Sequence, residues 1–123
     1  MKAARILVVE DEMIIARELI MQLRAFGHEP VGSARTGQEA IDMAAQLQPQ
    51  LVLMDVHLAG SIDGITAAQA IRSQFGIPSV FLSAFDGGDS LERAKLANPV
   101  GFLAKPYIEC ELREVIGLAL GVQ

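Results

Sequence analysis

The chain has 123 residues, of which 51% are hydrophobic and 20% charged, a composition typical of one folded domain and unlike that of a disordered chain. Its one cysteine excludes an internal disulfide, and no apolar run approaches the length of about 20 residues that a membrane span needs. The net charge is −5 and the basic residues are scattered, which argues against direct binding to nucleic acid.

Short runs of aliphatic and β-branched residues predict the strands of the fold. Four such runs are clear, and a weaker fifth lies between the first two. The clear runs are Ile6–Val9, Leu51–Met54, Ser79–Leu82 and Gly101–Ala104, and the weaker one is Pro30–Ser33. None of the clear runs alternates strictly between polar and apolar residues, which favours strands that are covered on both faces.

The segments between these runs carry apolar residues at a spacing of three to four, which predicts helices. The helical stretches cover residues 14–26, 40–47, 65–75, 91–96 and 108–119. Gly27 stands where the first helix should end, and Asn98-Pro99 should end the fourth one early. The β-α order repeats five times and therefore predicts a parallel sheet with helices on both faces, a three-layer α/β/α sandwich. We expect one domain over residues 1–123, with a core of about 4–120 and no output domain in this chain.

Polar residues follow four of the five predicted strands. Glu10 and Asp11 follow the first strand, Asp55 the third, Ser83 and Ala84 the fourth, and Lys105 the fifth. In an open parallel sheet, ligands bind beyond the carboxyl ends of the strands, so these side chains should meet at one edge.

Each of these residues has an ordinary structural explanation when it is taken alone. Acidic residues after a strand commonly begin a helix, and a serine at a strand end commonly bonds its own backbone. Together they are more informative, because two carboxylates about 4 Å apart repel by about 4 kcal/mol at an effective dielectric of about 20. Converging carboxylates suit Mg²⁺, and a nearby lysine would attract a phosphoryl group, for which Asp55 could be the nucleophile.

The motifs at the strand ends resemble those of the receiver domain of bacterial two-component response regulators. The matching strings are Ile6–Glu12, Leu51–Asp55, Asp63-Gly64, Val80–Ala84 and Phe102–Pro106. The resemblance implies a flavodoxin-like receiver fold with the strand order 2-1-3-4-5. It also implies a phosphorylation-activated switch whose only chemistry is its own phosphorylation and dephosphorylation, and which is not a metabolic enzyme.

The resemblance assigns a role to each residue of this edge. Asp55 would accept the phosphoryl group from a sensor histidine kinase or a histidine phosphotransfer protein. Asp11, Glu10 (mostly through water), Asp55 and the backbone carbonyl of His57 would hold Mg²⁺, for which Mn²⁺ could substitute. Lys105 would pair with Asp55 and then with the phosphoryl oxygens.

The remaining implied roles concern the response to phosphorylation. Ser83 and Ala84 would contact the phosphoryl group, and Phe102, in place of the more familiar tyrosine, would be the aromatic switch. The face formed by helix 4, strand 5 and helix 5 would then control a downstream protein or a fused domain, or form a homodimer. We expect no membrane partner and a cytoplasmic location. The alternative is a receiver-like interaction module that does not need phosphorylation.

Two further residues receive simpler interpretations. His57 could act through its side chain, but we favour a role for its backbone alone. His28 precedes the second strand and is predicted to lie at the surface.

Overall fold

The computed structural model describes residues 3–58, 60–84 and 89–121, except for the side chains of residues 89–91. Five strands and five helices alternate along the chain. The elements are β1 (Arg5–Val9), α1 (Met13–Ala25), β2 (Glu29–Ala34), α2 (Gly37–Leu47), β3 (Leu51–Asp55), α3 (Gly64–Phe75), β4 (Ser79–Ser83), α4 (Asp89–Leu96), β5 (Gly101–Ala104) and α5 (Glu109–Ala119). This order confirms the predicted succession of strands and helices.

The strands form one parallel sheet in the order β2-β1-β3-β4-β5. Both faces of the sheet are covered, and each face contributes its own apolar cluster. Alternate residues of β1 illustrate this: Leu7 and Val9 belong to the cluster shared with α2 and α3, whereas Ile6 and Val8 belong to the one shared with α1 and α5. The two clusters account for the uninterrupted apolar runs and confirm the three-layer sandwich.

Local signals set the helix ends. Gly27 has a φ of 90° just after α1, in the left-handed region that glycine adopts without strain. Asp63 begins α3 by accepting a hydrogen bond from the Thr66 amide at 2.8 Å. The fourth helix ends at Leu96, two residues before Asn98 with its φ of 55°, which agrees with the predicted early end.

The prediction for His28 is wrong. Its side chain is 6% exposed, and Nδ1 accepts a hydrogen bond of 3.1 Å from the Ala4 amide, just before β1. Within the described ranges, no helix is long and apolar enough to cross a membrane.

Candidate phosphoacceptor site

Three carboxylates meet at the carboxyl edge of the sheet. Glu10, Asp11 and Asp55 each offer one oxygen, and these oxygens lie within 4.8 Å of one another. Glu10 follows β1 directly, and its amide donates to the Ala34 carbonyl at the end of β2 at 3.0 Å. Asp55 is the last residue of β3. The neighbouring parallel strands β1 and β3 therefore bring the carboxylates together, as their positions after the strands predicted.

Two of the three carboxylates are removed from solvent. Glu10 is 1% exposed and Asp55 is 5% exposed, whereas Asp11 is partly exposed. The Glu12 amide at the start of α1 donates to Glu10 Oε2 at 3.2 Å, so this carboxylate lies at the positive end of the helix dipole. Buried charges of this kind need partners, because their loss of hydration is costly.

Lys105 supplies the positive charge from the other side of the pocket. Its Nζ lies 3.2 Å from Glu10 Oε1 and 3.7 Å from Asp55 Oδ1. We expected it to pair with Asp55, and the shorter contact is with Glu10. The Lys105 amide donates to the Ser83 carbonyl at 2.9 Å, which fixes the backbone of this residue to the end of β4. One ammonium among three carboxylates, if all are ionised, leaves a net charge of −2, so the pocket favours a further cation.

The backbone around Asp55 is tightly held. The His57 amide donates to Asp55 Oδ1 at 3.1 Å, whereas the His57 side chain is exposed. The Gly64 amide donates to the Val56 carbonyl at 3.0 Å. A Cβ added at Gly64 would overlap the Asp55 carbonyl oxygen, so only glycine allows α3 to begin this close to β3. The close approach of α3 to β3 therefore requires the glycine of the Asp63-Gly64 motif, a requirement that the position of the motif in the sequence did not indicate.

The other predicted residues lie on the β4 and β5 side. Ser83 is fully buried, and its Oγ has no hydrogen-bond partner among the described residues. Ala84 follows it and is exposed. Phe102 is 37% exposed, and its ring lies 6.1 Å from that of Phe81, centre to centre, at an interplanar angle of 53°.

A cavity of about 400 Å³ adjoins the lysine side of the pocket. It lies between α1 and the segment after β5, and its lining consists of Ile15, Glu18, Leu19, Ala84, Lys105, Pro106 and Tyr107. The peptide bond between Lys105 and Pro106 is cis. The cavity places an open, mainly apolar surface next to the charged pocket.

Tyr107 is a residue to which the sequence assigned no role. Burial, together with the nearby carboxylates of Glu18, Glu10 and Asp55, raises the pKa of Tyr107 to about 12. Its phenol therefore stays protonated at neutral pH and adds no negative charge to the pocket. The only sequence feature that could have identified Tyr107 as part of the site is its position two residues after Lys105.

A parallel sheet in the order 2-1-3-4-5, with carboxylates and a lysine at its carboxyl edge, is the architecture of a flavodoxin-like receiver. The sequence model described as "Response regulator receiver domain" matches residues 6–117. The chain belongs to this family of signalling domains.

Known proteins support this assignment. The chain is 42% identical over 116 residues to the transcriptional regulatory protein PdtaR of Mycobacterium tuberculosis, covering 94% of this chain and 56% of PdtaR. It is 32% identical to the phyllosphere-induced regulator PhyR of Methylorubrum extorquens, covering 98% of this chain and 45% of PhyR. The chain thus spans about half the length of these curated relatives.

The structural comparison gives the same result. The signal receiver domain of a modulated diguanylate cyclase from Desulfovibrio desulfuricans superposes with a TM-score of 0.91 at 32% identity, covering 98% of this chain and 95% of that one. The similarity extends over nearly the whole of both chains. The predicted fold class is confirmed.

Proposed function

We propose that this chain is a phosphorylation-driven switch in which Asp55 accepts a phosphoryl group from a sensor histidine kinase or a histidine phosphotransfer protein. The observation that carries the proposal is the buried Asp55 carboxylate, which lies beside the Lys105 ammonium and two further carboxylates. The chain would catalyse only its own phosphorylation and dephosphorylation. A downstream protein or a fused domain would receive the signal.

The surroundings of Asp55 suit one of its oxygens for attack. Oδ1 accepts from the His57 amide and faces Lys105, whereas no hydrogen bond to Oδ2 occurs among the described residues. In the transfer, this oxygen forms a bond to phosphorus, and the bond from phosphorus to the donor nitrogen breaks with its electron pair on the histidine. Hydrolysis later replaces the bond between phosphorus and Asp55 by one to a water oxygen.

The three carboxylates fit Mg²⁺, a hard cation that takes few protein oxygens and retains waters. We propose that Asp11 and Asp55 hold the ion directly, and that Glu10 holds it mostly through water, because both Glu10 oxygens already accept hydrogen bonds. The His57 carbonyl would complete the protein ligands, and Mn²⁺ could substitute. When bound, the ion neutralises charge that develops on the transferred phosphoryl oxygens.

Lys105 and Ser83 would hold the phosphoryl group once it is attached, beside Ala84. The Ser83 hydroxyl supports this role because it is buried and has no hydrogen-bond partner in the part of the chain that the structure describes, an arrangement that costs about 1–3 kcal/mol. A phosphoryl oxygen would provide the missing acceptor. Phe102 would move inward behind Ser83 and thereby change the face formed by α4, β5 and α5.

That face would bind the downstream partner or a second copy of the chain. It exposes Leu96, Val100, Phe102 and Leu118. We place the protein in the cytoplasm, where histidine kinases hold their phosphorylated domains. The output of the whole protein is a separate matter, because the relatives are about twice as long as the chain.

The experiment that tests the proposal is the intact mass of the chain after incubation with acetyl phosphate, with and without Mg²⁺. We expect one added phosphoryl group that requires the ion and disappears in Asp55→Asn. Asp42→Asn is the matched control, because this exposed carboxylate on α2 lies outside the cluster of three carboxylates and should leave the modification intact.

Two results would contradict the proposal. A modification that persists in Asp55→Asn would place the acceptor elsewhere. If the wild-type chain takes up neither a phosphoryl group nor beryllofluoride, the alternative of a phosphorylation-independent interaction module is favoured.

A further inference from the structure

Two arginine contacts join the last turn of the fourth helix, and the turn that follows it, to the neighbouring helix α3. Arg93 Nη1 on α4 lies 2.7 Å from Asp63 Oδ2 at the start of α3. Arg72 Nη1 on α3 donates to the Asn98 carbonyl, just beyond α4, at 3.3 Å. One polar contact therefore joins α4 itself to the start of α3, and a second joins the turn after α4 to the end of α3.

The described side chains of α4 contribute little apolar packing. Of the α4 side chains described, residues 92–96, only Ala94 is buried, and the next buried residue is Ala97. Leu96 is 81% exposed. Alanine buries little apolar surface, so among the described side chains the two arginine contacts are the main attachment of α4 and of the turn after it.

The acidic partner in the first contact is itself fixed to the backbone of the phosphoacceptor. Asp63 accepts from the Thr66 amide as the cap of α3, and the following residue, Gly64, bonds the Val56 carbonyl directly after Asp55. Burial raises the pKa of Asp63, but the hydrogen bonds from Arg93 and Thr66 outweigh burial and hold it below its usual value. Asp63 therefore stays ionised, and it connects α4 to a rigid part of the site.

We propose that the ion pair between Asp63 and Arg93, the α4 latch, holds α4 in the position described here and opposes the phosphorylated arrangement. This inference rests on the proposed function. The proposed response changes the face that includes α4, and the latch ties this helix to the start of α3, which is bonded to the backbone directly after Asp55. Breaking the latch removes a contact specific to one arrangement, and therefore raises affinity for ligands that favour the other.

The first measurement tests whether the latch holds α4 at all, and it needs no phosphorylation. Amide hydrogen exchange is compared between the wild type, Arg93→Gln and Asp63→Asn, which keeps an oxygen to cap α3 but loses the charge. We expect α4 amides to exchange about two- to fivefold faster in both variants, the range for a partly exposed ion pair, while β1 and β3 amides stay unchanged. Unchanged exchange in α4 would overturn the inference.

The second measurement tests the coupling to the phosphoacceptor. The affinity for beryllofluoride with Mg²⁺, a stable mimic of the phosphoryl group, is titrated in the same variants. We expect Arg93→Gln and Asp63→Asn to bind about two- to fivefold more tightly than the wild type. Lys95→Gln is the matched control, since it removes a positive charge from the same helix and Lys95 forms no ion pair with any described residue.

The outcomes separate the two proposals. Tighter binding in Lys95→Gln as well would attribute the effect to net charge and overturn the latch. Equal or weaker binding in Arg93→Gln, with a wild-type chain that binds normally, would overturn the latch and leave the proposed function intact. A wild-type chain that binds no beryllofluoride would overturn the proposed function together with the coupling, while the exchange data would still decide what holds α4.

Discussion

The strands that carry the carboxylates differ in packing from the segment proposed to respond to them. β3 is buried along its whole length, and β1 is buried after its first residue. In the α4–β5 segment, residues 89–104, the buried side chains among those described are Ala94, Ala97 and Leu103, and arginine contacts contribute to the attachment of α4. Displacing a buried strand would break close packing, whereas moving the α4–β5 segment would break fewer apolar contacts. The carboxylates are thus held by buried strands, whereas the α4–β5 segment can be displaced with a smaller loss of apolar packing.

Apolar exposure by itself does not distinguish the two regions. Leu96, Val100 and Phe102 are exposed in the α4–β5 segment, but Met13, Ile14 and Met21 are exposed on α1. What distinguishes the regions is how much buried surface each side chain contributes. The predictions that follow test this difference, beginning with the largest expected effect.

Two phenylalanines in contact with each other provide the most direct test. Phe81 on β4 is fully buried, whereas its neighbour Phe102 on β5 is 37% exposed. We expect Phe81→Ala to lower the free energy of unfolding by about 3–5 kcal/mol, and Phe102→Ala to lower it by only about 1 kcal/mol, because less surface is lost from the core. Urea denaturation measures both. Similar losses would show that the α4–β5 segment is packed as firmly as the strands beside it.

The second test concerns the backbone of Asp55, the proposed phosphoacceptor. Gly64→Ala would place a methyl group against the Asp55 carbonyl, and we expect a loss of about 1–3 kcal/mol in the free energy of unfolding, with slower phosphorylation. Gly117→Ala is the matched control, because nothing lies within 4 Å of the added Cβ on α5. There the better helix former should stabilise the chain by up to about 1 kcal/mol. Equal effects at the two positions would show that α3 can move away from β3.

Much of this arrangement could be predicted from the sequence. The apolar runs located every strand, and residues after the strands identified the carboxylates and the lysine, because parallel strands end at a common edge. The strand order came from the resemblance to receivers, since periodicity does not specify which strands are neighbours.

The remaining features depend on tertiary contacts. Lys105 lies closer to Glu10 than to Asp55 by half an ångström, a difference that no motif encodes. The pairing of Asp63 with Arg93 joins residues 30 positions apart. His28 follows a glycine and has a polar side chain, which favours the surface, but the fold places it against the start of β1 and buries it.

The third test removes the positive charge from the pocket. Lys105→Met leaves the buried Glu10 and Asp55 without their ammonium partner, and we expect a loss of about 1–3 kcal/mol in the free energy of unfolding. Saturating Mg²⁺ should recover more stability in this variant than in the wild type, because the ion replaces the missing charge, and its removal with chelator should reverse the gain. Denaturation midpoints with and without Mg²⁺ measure this. Lys95→Met, at an exposed position on α4, should show neither effect.

The smallest effect is expected at the opposite end of the sheet, where His28 joins the turn after α1 to the start of β1. Burial lowers the pKa of His28, and Nδ1 must remain unprotonated to accept from the Ala4 amide. The unfolded chain therefore binds a proton more readily than the folded one. This contribution to stability is present above the unfolded pKa of about 6.5 and is lost as the pH falls below it. His28→Gln keeps an acceptor but cannot titrate. The urea midpoint should therefore decrease more in the wild type than in this variant when the pH is lowered from about 7.5 to about 5.5. Equal decreases would mean that the β1 end opens freely enough to hydrate His28, and the contrast between a rigid β1 and a loosely held α4 would then be weaker.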